Sequence, residues 1–90
     1  MKPPAGFHFL CQGLHQGVMR MVDGSVERLA KYRIEFVRTD LRPDLQTFIV
    51  WALAELSPSE IKGLINREKT EFFFKGHGAA IFLRAVLAAL

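Results

Sequence analysis

The chain has little cysteine, which limits the ways in which so small a protein can be held together. Cys11 is the only cysteine among the 90 residues. A single cysteine excludes a disulfide within the chain, whereas small stapled secreted domains carry an even number of cysteines. We therefore expect a protein that folds in a reducing compartment, and we predict a cytoplasmic location.

Long apolar runs are also missing. The longest candidate, residues 72–90, is interrupted by Lys75, His77 and Arg84. Its cleanest part, residues 79–90, would be roughly 18 Å long as a helix, whereas the hydrocarbon core of a bilayer is about 30 Å thick. No hydrophobic segment of the signal-peptide kind follows the first four residues. We expect neither a transmembrane segment nor a leader.

No motif in the sequence indicates a reaction. Residues 75–78 read Lys-Gly-His-Gly before a predicted helix, but a nucleotide-binding loop requires Gly-Lys followed by Ser or Thr. Cys11 lies on a predicted buried face, where apolar surroundings raise the pKa of a thiol and so disfavour a nucleophile. We predict that the protein is not an enzyme and uses no cofactor.

Hydrophobic residues are abundant by comparison. They make up 50% of the chain and include eight Phe together with Tyr32 and Trp51, a composition that argues against disorder. We predict a disordered segment at residues 1–6, which are rich in Pro and Gly, and a single small globular domain at residues 7–90. A domain of this size buries only about 60–65% of the surface of its unfolded chain. Some apolar surface is therefore expected to stay uncovered.

The spacing of the apolar residues predicts a mainly α protein, a compact bundle of four to five short helices. The first helix is predicted from Phe7 to Val22. Asp23-Gly24 follows it, and this pair indicates a helix end in preference to a hairpin turn because the upstream period is helical.

Capping residues mark where the later helices begin. Ser25 is a suitable N-cap for the second helix, and Pro43 suits the first turn of the third. Ser57 and Glu60 form a capping box with Pro between them, which predicts the start of the fourth helix. The last helix is predicted from residue 79 to residue 90.

Two segments allow an alternative fold. Residues 32–36 alternate apolar and polar side chains and are rich in strand-forming types. Residues 31–38 and 70–75 would then pair as a small sheet in an α+β domain. The helical spacing of Leu29, Ile34 and Val37 favours the helix.

His8, Cys11 and His15 are the candidate metal ligands. On a helix they fall within about 60° of one another, and imidazole and thiolate are zinc ligands. Their spacing does not match that of known zinc sites, and a Cys on an apolar stripe packs as a small hydrophobe. We predict no metal site.

A basic stripe on the second helix provides the alternative function. Its members are Arg28, Lys31, Arg33, Arg38 and Arg42. Such a stripe can contact phosphates of a nucleic acid. Glu27 and Glu35 lie four residues on either side of Lys31, which favours a solvated face paired with itself.

Aromatic residues beside basic ones provide the leading hypothesis. Three consecutive Phe cannot all point into one core, and exposed aromatics near Arg are typical binding anchors. We predict a small protein–protein interaction module, an adaptor or inhibitor that binds a larger partner or self-associates. The predicted partner-binding residues are Trp51, Phe72, Phe73, Phe74, Phe82 and Arg84.

Overall fold

Short helices form all the regular structure in the described part of the chain. The structure, a computed structural model, describes residues 1–68 and 74–90. Its elements are α1 (Ala5–Gln12), α2 (Val18–Met21), α3 (Val26–Ile34), a 3₁₀ turn (Thr39–Leu41), α4 (Arg42–Glu55), α5 (Pro58–Asn66) and α6 (Gly78–Ala89). The mainly α fold class is confirmed, with six helices in these ranges instead of four or five.

The predicted first helix is divided into α1 and α2 by a turn at residues 13–17. Glycine occupies both ends of this turn, at Gly13 and Gly17, and glycine weakens a helix interior by about 1 kcal/mol relative to Ala. The Leu14 N–H donates to the Cys11 carbonyl at 3.0 Å, a tight bond that closes α1. The apolar spacing continues across the turn, which is why the sequence predicts a single helix.

The sequence predicted the C-terminal end of this first segment better than its N-terminal end. Helix α1 begins at Ala5, and Gly6 is buried, so residues 5 and 6 belong to the helix and not to a disordered segment. Helix α2 ends at Met21, and the predicted break at Asp23-Gly24 follows it. Asp23 has a φ of 54°, and the Gly24 N–H donates to the Met19 carbonyl at 2.8 Å, as in a Schellman motif.

The alternative sheet is not supported. Residues 31–34 are helical, and the chain turns at residues 35–37. Of the second predicted strand, residues 70–73 lie outside the described residues, and no strand occurs in the described ranges. Burial of Leu29, Ala30 and Ile34 on α3 follows the helical period and not the alternation of a strand.

The predicted starts of α3, α4 and α5 are confirmed. The Ser25 hydroxyl accepts a hydrogen bond from the Arg28 N–H at 3.2 Å, and Pro43 lies in the first turn of α4. Ser57 and Glu60 form the complete capping box of α5, with bonds of 3.2 and 3.0 Å. These local bonds satisfy the first N–H groups of α3 and α5, which have no partner within the helix.

Helix α6 is the centre of the packing, because it contacts α3, α4 and α5. Its buried residues are Ala79, Ala80, Phe82, Leu83 and Val86. One subunit therefore buries one face of this apolar helix and leaves Ile81, Ala88 and Ala89 exposed. Helix α1 packs on α4, where the rings of Phe7 and Phe48 meet edge to face with centroids 5.1 Å apart.

Candidate functional site

Two of the predicted partner-binding aromatics belong to the core. Phe74 and Phe82 are buried, and their rings stack with centroids 5.2 Å apart. Burial leaves neither ring available to a partner. Phe72 and Phe73 lie outside the described residues.

The other two predicted anchors, Trp51 and Arg84, line separate depressions. Trp51 is half-buried, with its ring centroid 5.7 Å from that of Phe48, and it lines a pocket of about 380 Å³ between α4 and α5. Arg84 is exposed beside an open groove of about 840 Å³ between α3 and α6, which Lys31 and Ile81 also line. The structure therefore does not join Trp51 and Arg84 in a single site.

A different pair of aromatic side chains lines one pocket on the surface. Phe9 of α1 is 39% exposed, and Phe36, just after α3, is 51% exposed. Both line a pocket of about 280 Å³, together with Gln12, Gly13 and Arg33. We call Phe9, Arg33 and Phe36 the aromatic–arginine patch. Of its members, only Arg33 was predicted to bind anything, and then as a contact to nucleic acid.

Arg33 is held in place by the end of α1. It is only 5% exposed. Its Nε donates to the Leu10 carbonyl at 3.0 Å, and its Nη2 donates to the Phe9 carbonyl at 2.9 Å. The last four carbonyls of a helix have no partner within it, and a cation is favourable there. The guanidinium therefore caps α1 and joins it to α3.

Aromatic rings also pack against Arg33. Its Cζ lies 4.5 Å from the centroid of Phe36 and 5.9 Å from that of Tyr32. The Tyr32 and Phe36 rings meet edge to face, with centroids 5.2 Å apart. Burial lowers the pKa of Arg33 from its ordinary value, yet a guanidinium stays charged in proteins. A permanent cation thus lies against the exposed Phe36 ring.

One nitrogen of this guanidinium makes no hydrogen bond to the described residues. Nε and Nη2 both bond to carbonyls, whereas Nη1 has no hydrogen-bond partner within residues 1–68 and 74–90. No carboxylate in the same ranges forms a salt bridge with Arg33. Within these ranges the charge therefore faces carbonyl dipoles and aromatic rings and no paired carboxylate, and Nη1 keeps its N–H groups available to donate to another molecule.

Gly13 makes this arrangement possible. A Cβ atom added to Gly13 would lie 2.5 Å from Arg33 Cζ and closer still to Nη1. Its φ of −97° is open to any residue, so the glycine is required by the close approach of Arg33 and not by the backbone. No such role for Gly13 could be predicted from the sequence.

The predicted basic stripe is largely engaged within the protein. Arg28 pairs with Asp23 at 3.0 Å, and Arg38 pairs with Asp40 at 2.9 Å. Lys31 is the one member of the stripe with no hydrogen bond or ion pair within the described part of the chain. Exposed pairs of this kind contribute about 0–1 kcal/mol, so they do not lock these arginines in place.

Arg42, like Arg33, caps a helix end. Its Nε donates to the Val37 carbonyl at 3.1 Å, and its Nη2 donates to the Ile34 carbonyl at 3.3 Å. Two of the five basic residues are thus used to end helices. Only Arg28, Lys31 and Arg38 of the predicted stripe are exposed.

The three candidate metal ligands, His8, Cys11 and His15, lie in different environments. Cys11 is buried in the core, whereas His8 and His15 are exposed. His8 Nδ1 lies 2.9 Å from a carboxylate oxygen of Glu68. No group of three or more His, Cys, Asp or Glu side chains is placed to hold a metal ion in the described ranges.

Cys11 is poorly suited to nucleophilic chemistry. Burial raises the pKa of its thiol far above the ordinary value, and the nearby Glu68 carboxylate adds to the effect. Arg33 acts in the opposite direction but is outweighed. A neutral thiol is neither a strong nucleophile nor a metal ligand.

The aromatic–arginine patch could not be predicted from the sequence, because its contacts join residues that are far apart in the chain. Arg33 lies 23 and 24 positions from the residues whose carbonyls it binds. The available signals were that Phe9 falls off the apolar stripe of α1 and that Phe36 lies in an arginine-rich segment. Those signals are too general to select Phe9, Arg33 and Phe36 before the fold is known.

Comparison with known proteins provides no further guide to this site. No family model, curated protein or solved structure matches the sequence or the fold. None of the helices in the described ranges has both the length and the apolar character needed to cross a membrane.

Proposed function

We propose that this protein is a small non-enzymatic interaction module, an adaptor or inhibitor that binds another protein through the aromatic–arginine patch. One observation supports the proposal above the others: two half-exposed phenylalanine rings line one pocket with a nearly buried guanidinium. Aromatic residues and Arg are the residues enriched at the energetic centres of protein interfaces.

The exposed ring surface is large enough to contribute to an interface. A phenylalanine offers about 200 Å² of surface. The exposed fractions of Phe9 and Phe36, 39% and 51%, then amount to roughly 180 Å² in total. Covering that area contributes about 4–5 kcal/mol. These two residues supply a substantial part of the free energy of binding.

The patch is also ordered before a partner arrives. Phe36 is held by the Tyr32 ring and by the Arg33 guanidinium, which is itself fixed by two hydrogen bonds to α1. Binding therefore requires little additional ordering of these side chains, and side-chain ordering is one of the main costs of association.

A comparison of matched surface variants tests the proposal. Tagged wild-type protein, Phe36→Ser and Val50→Ser are used to capture proteins from a host lysate with and without nuclease, followed by quantitative mass spectrometry. Val50 is the matched control because it is 50% exposed, like Phe36, but lies on α4 away from the patch. Both substitutions remove a comparable fraction of exposed apolar surface.

We expect a protein that survives nuclease treatment, is captured by the wild type and by Val50→Ser, and is lost with Phe36→Ser. If the partner is a second copy of this protein, analytical ultracentrifugation of the three purified proteins shows the same order. Captured proteins that all disappear with nuclease would favour nucleic-acid binding instead. Equal capture by Phe36→Ser and the wild type would contradict the proposed surface.

A further inference from the structure

We propose that the aromatic–arginine patch recognises a carboxylate group on the partner, with Arg33 Nη1 as the donor. The carboxylate belongs either to the side chain of an Asp or Glu or to the C-terminus of the partner polypeptide. This inference rests on the proposed function, because it names the chemistry that the same surface selects.

The guanidinium is fixed, and one of its nitrogens is unused by the described residues. Arg33 is 5% exposed, and its Nε and Nη2 are bound to the Leu10 and Phe9 carbonyls. Those two bonds determine where the plane of the guanidinium lies. Nη1 carries two N–H groups, and it makes no hydrogen bond in the part of the chain that the structure describes. An anionic oxygen, as in a carboxylate or a phosphate, accepts a stronger hydrogen bond from such a donor than a neutral oxygen does.

The positive charge of Arg33 in the pocket matches a ligand that carries a single negative charge. Among the residues that the structure describes, Arg33 is the only charged one that lines the pocket, and the others are Phe9, Gln12, Gly13 and Phe36. A phosphate dianion is usually held by several cationic or N–H donors, as at helix N-termini and Arg clusters. One guanidinium with one free nitrogen suits a carboxylate better than a phosphate.

The pocket also has room for the atoms next to that carboxylate. Its volume is about 280 Å³, and its walls include the two exposed rings. An apolar residue beside the carboxylate would contact Phe9 and Phe36, while the carboxylate reaches Nη1. The Gln12 amide lines the same pocket and offers N–H donors for the second oxygen. The preferred ligand is therefore an aromatic or aliphatic residue next to a carboxylate.

Four small probes test this preference on the wild-type protein by NMR. Ac-Phe-Glu-NH₂ and Ac-Phe-Gln-NH₂ differ only in one side chain, which ends in a carboxylate in the first and in an amide in the second. Ac-Gly-Phe-OH and Ac-Gly-Phe-NH₂ differ only in a C-terminal carboxylate. Each probe is titrated while the Arg33 Nε–H resonance is followed in ¹H–¹⁵N spectra, and phenyl phosphate is titrated in the same way.

We expect a saturable shift of the Arg33 resonance with at least one carboxylate probe, which binds about tenfold more tightly than its amide because the hydrogen bond is charge-assisted. The pair that shows the difference identifies the source of the carboxylate. Equal affinity for acid and amide would overturn the proposal. So would tighter binding of phenyl phosphate, or the absence of any saturable shift at Arg33.

A surface variant provides a second readout that does not depend on the buried arginine. Phe36→Leu keeps an apolar residue at a half-exposed position but removes the ring on which the guanidinium lies. We expect it to bind the preferred probe about threefold more weakly, whereas Val50→Leu binds as the wild type does. An unchanged affinity in Phe36→Leu would place the probe elsewhere and overturn the assignment.

The two proposals fail in different ways. If the probes do not distinguish acid from amide but capture of a partner still depends on Phe36, the interaction module stands and its contact is apolar. If the probes bind as expected but no captured protein depends on Phe36, the pocket binds carboxylates and the proposed function is wrong.

Discussion

Replacing Gly13 with alanine tests the arrangement on which the candidate site depends. The new Cβ would lie within 2.5 Å of Arg33 Cζ and closer to Nη1, so the guanidinium has to move. Moving it breaks the bonds to the Leu10 and Phe9 carbonyls, which are 3.0 and 2.9 Å long. It also removes the cap from the end of α1.

The expected loss of stability follows from those two bonds. A hydrogen bond from a charged donor contributes about 1.5–3 kcal/mol, so losing both costs at least about 3 kcal/mol. Alanine also restricts the unfolded chain, which returns about 0.4–1 kcal/mol. The net expectation is that Gly13→Ala lowers the free energy of unfolding by about 2 kcal/mol, a large part of the roughly 5–13 kcal/mol typical of a 90-residue domain.

Gly63 provides the matched control. It lies inside α5, and a Cβ added there meets nothing within 4 Å. Gly63→Ala is therefore expected to raise the free energy of unfolding by about 1 kcal/mol through helix propensity. Urea unfolding of both variants, followed by circular dichroism and by Trp51 fluorescence, measures the two effects on one scale. If Gly13→Ala proves as stable as the wild type, Arg33 does not lie where the site requires it.

Three further expectations concern the core, the thiol and acid stability. Phe82→Ala should lower the free energy of unfolding, measured in urea, by about 3–5 kcal/mol. Ile81→Ala, at a position 48% exposed, should lower it by under about 1 kcal/mol. Similar losses would mean that α6 does not bury the face described. Cys11 should react with Ellman's reagent about a thousandfold more slowly in the native protein than in urea, and rapid native labelling would show that the thiol is accessible. Hydrogen bonds from Ser57 lower the pKa of Glu60, so the stability they provide is present above the carboxyl's unfolded pKa and is lost as the pH falls through the folded one. Between about pH 6 and pH 3 the wild type should therefore lose more stability than Glu60→Gln, and parallel curves would contradict the assigned cause.

The helix boundaries that were predicted correctly depend on residues close to one another in the chain. The Ser57 capping box, the Ser25 cap and the helix end at Asp23 each depend on residues within a few positions of one another. Such bonds form in the same way whatever the rest of the protein does. The start of a helix can therefore be predicted from sequence with little knowledge of the fold.

The candidate site could not be predicted from the sequence, for a physical reason. Helix α6 is apolar on nearly every side, so its sequence does not say which face its neighbours cover, and Phe82 was taken for a surface anchor although it is buried. Arg33 was assigned to a solvated stripe because its partners, the carbonyls of α1, are defined only by tertiary packing. A contact between residues more than 20 positions apart leaves no periodic signal in one sequence.

The most direct test of the proposed function is site-specific photo-crosslinking in cells. The photoreactive phenylalanine analogue p-benzoyl-phenylalanine is introduced at position 36 in one variant and at position 50 in another, two positions of nearly equal exposure. If the aromatic–arginine patch is the binding surface, light yields a discrete protein adduct from position 36 and none from position 50. An adduct from position 50 alone, or no adduct from position 36, would contradict the account.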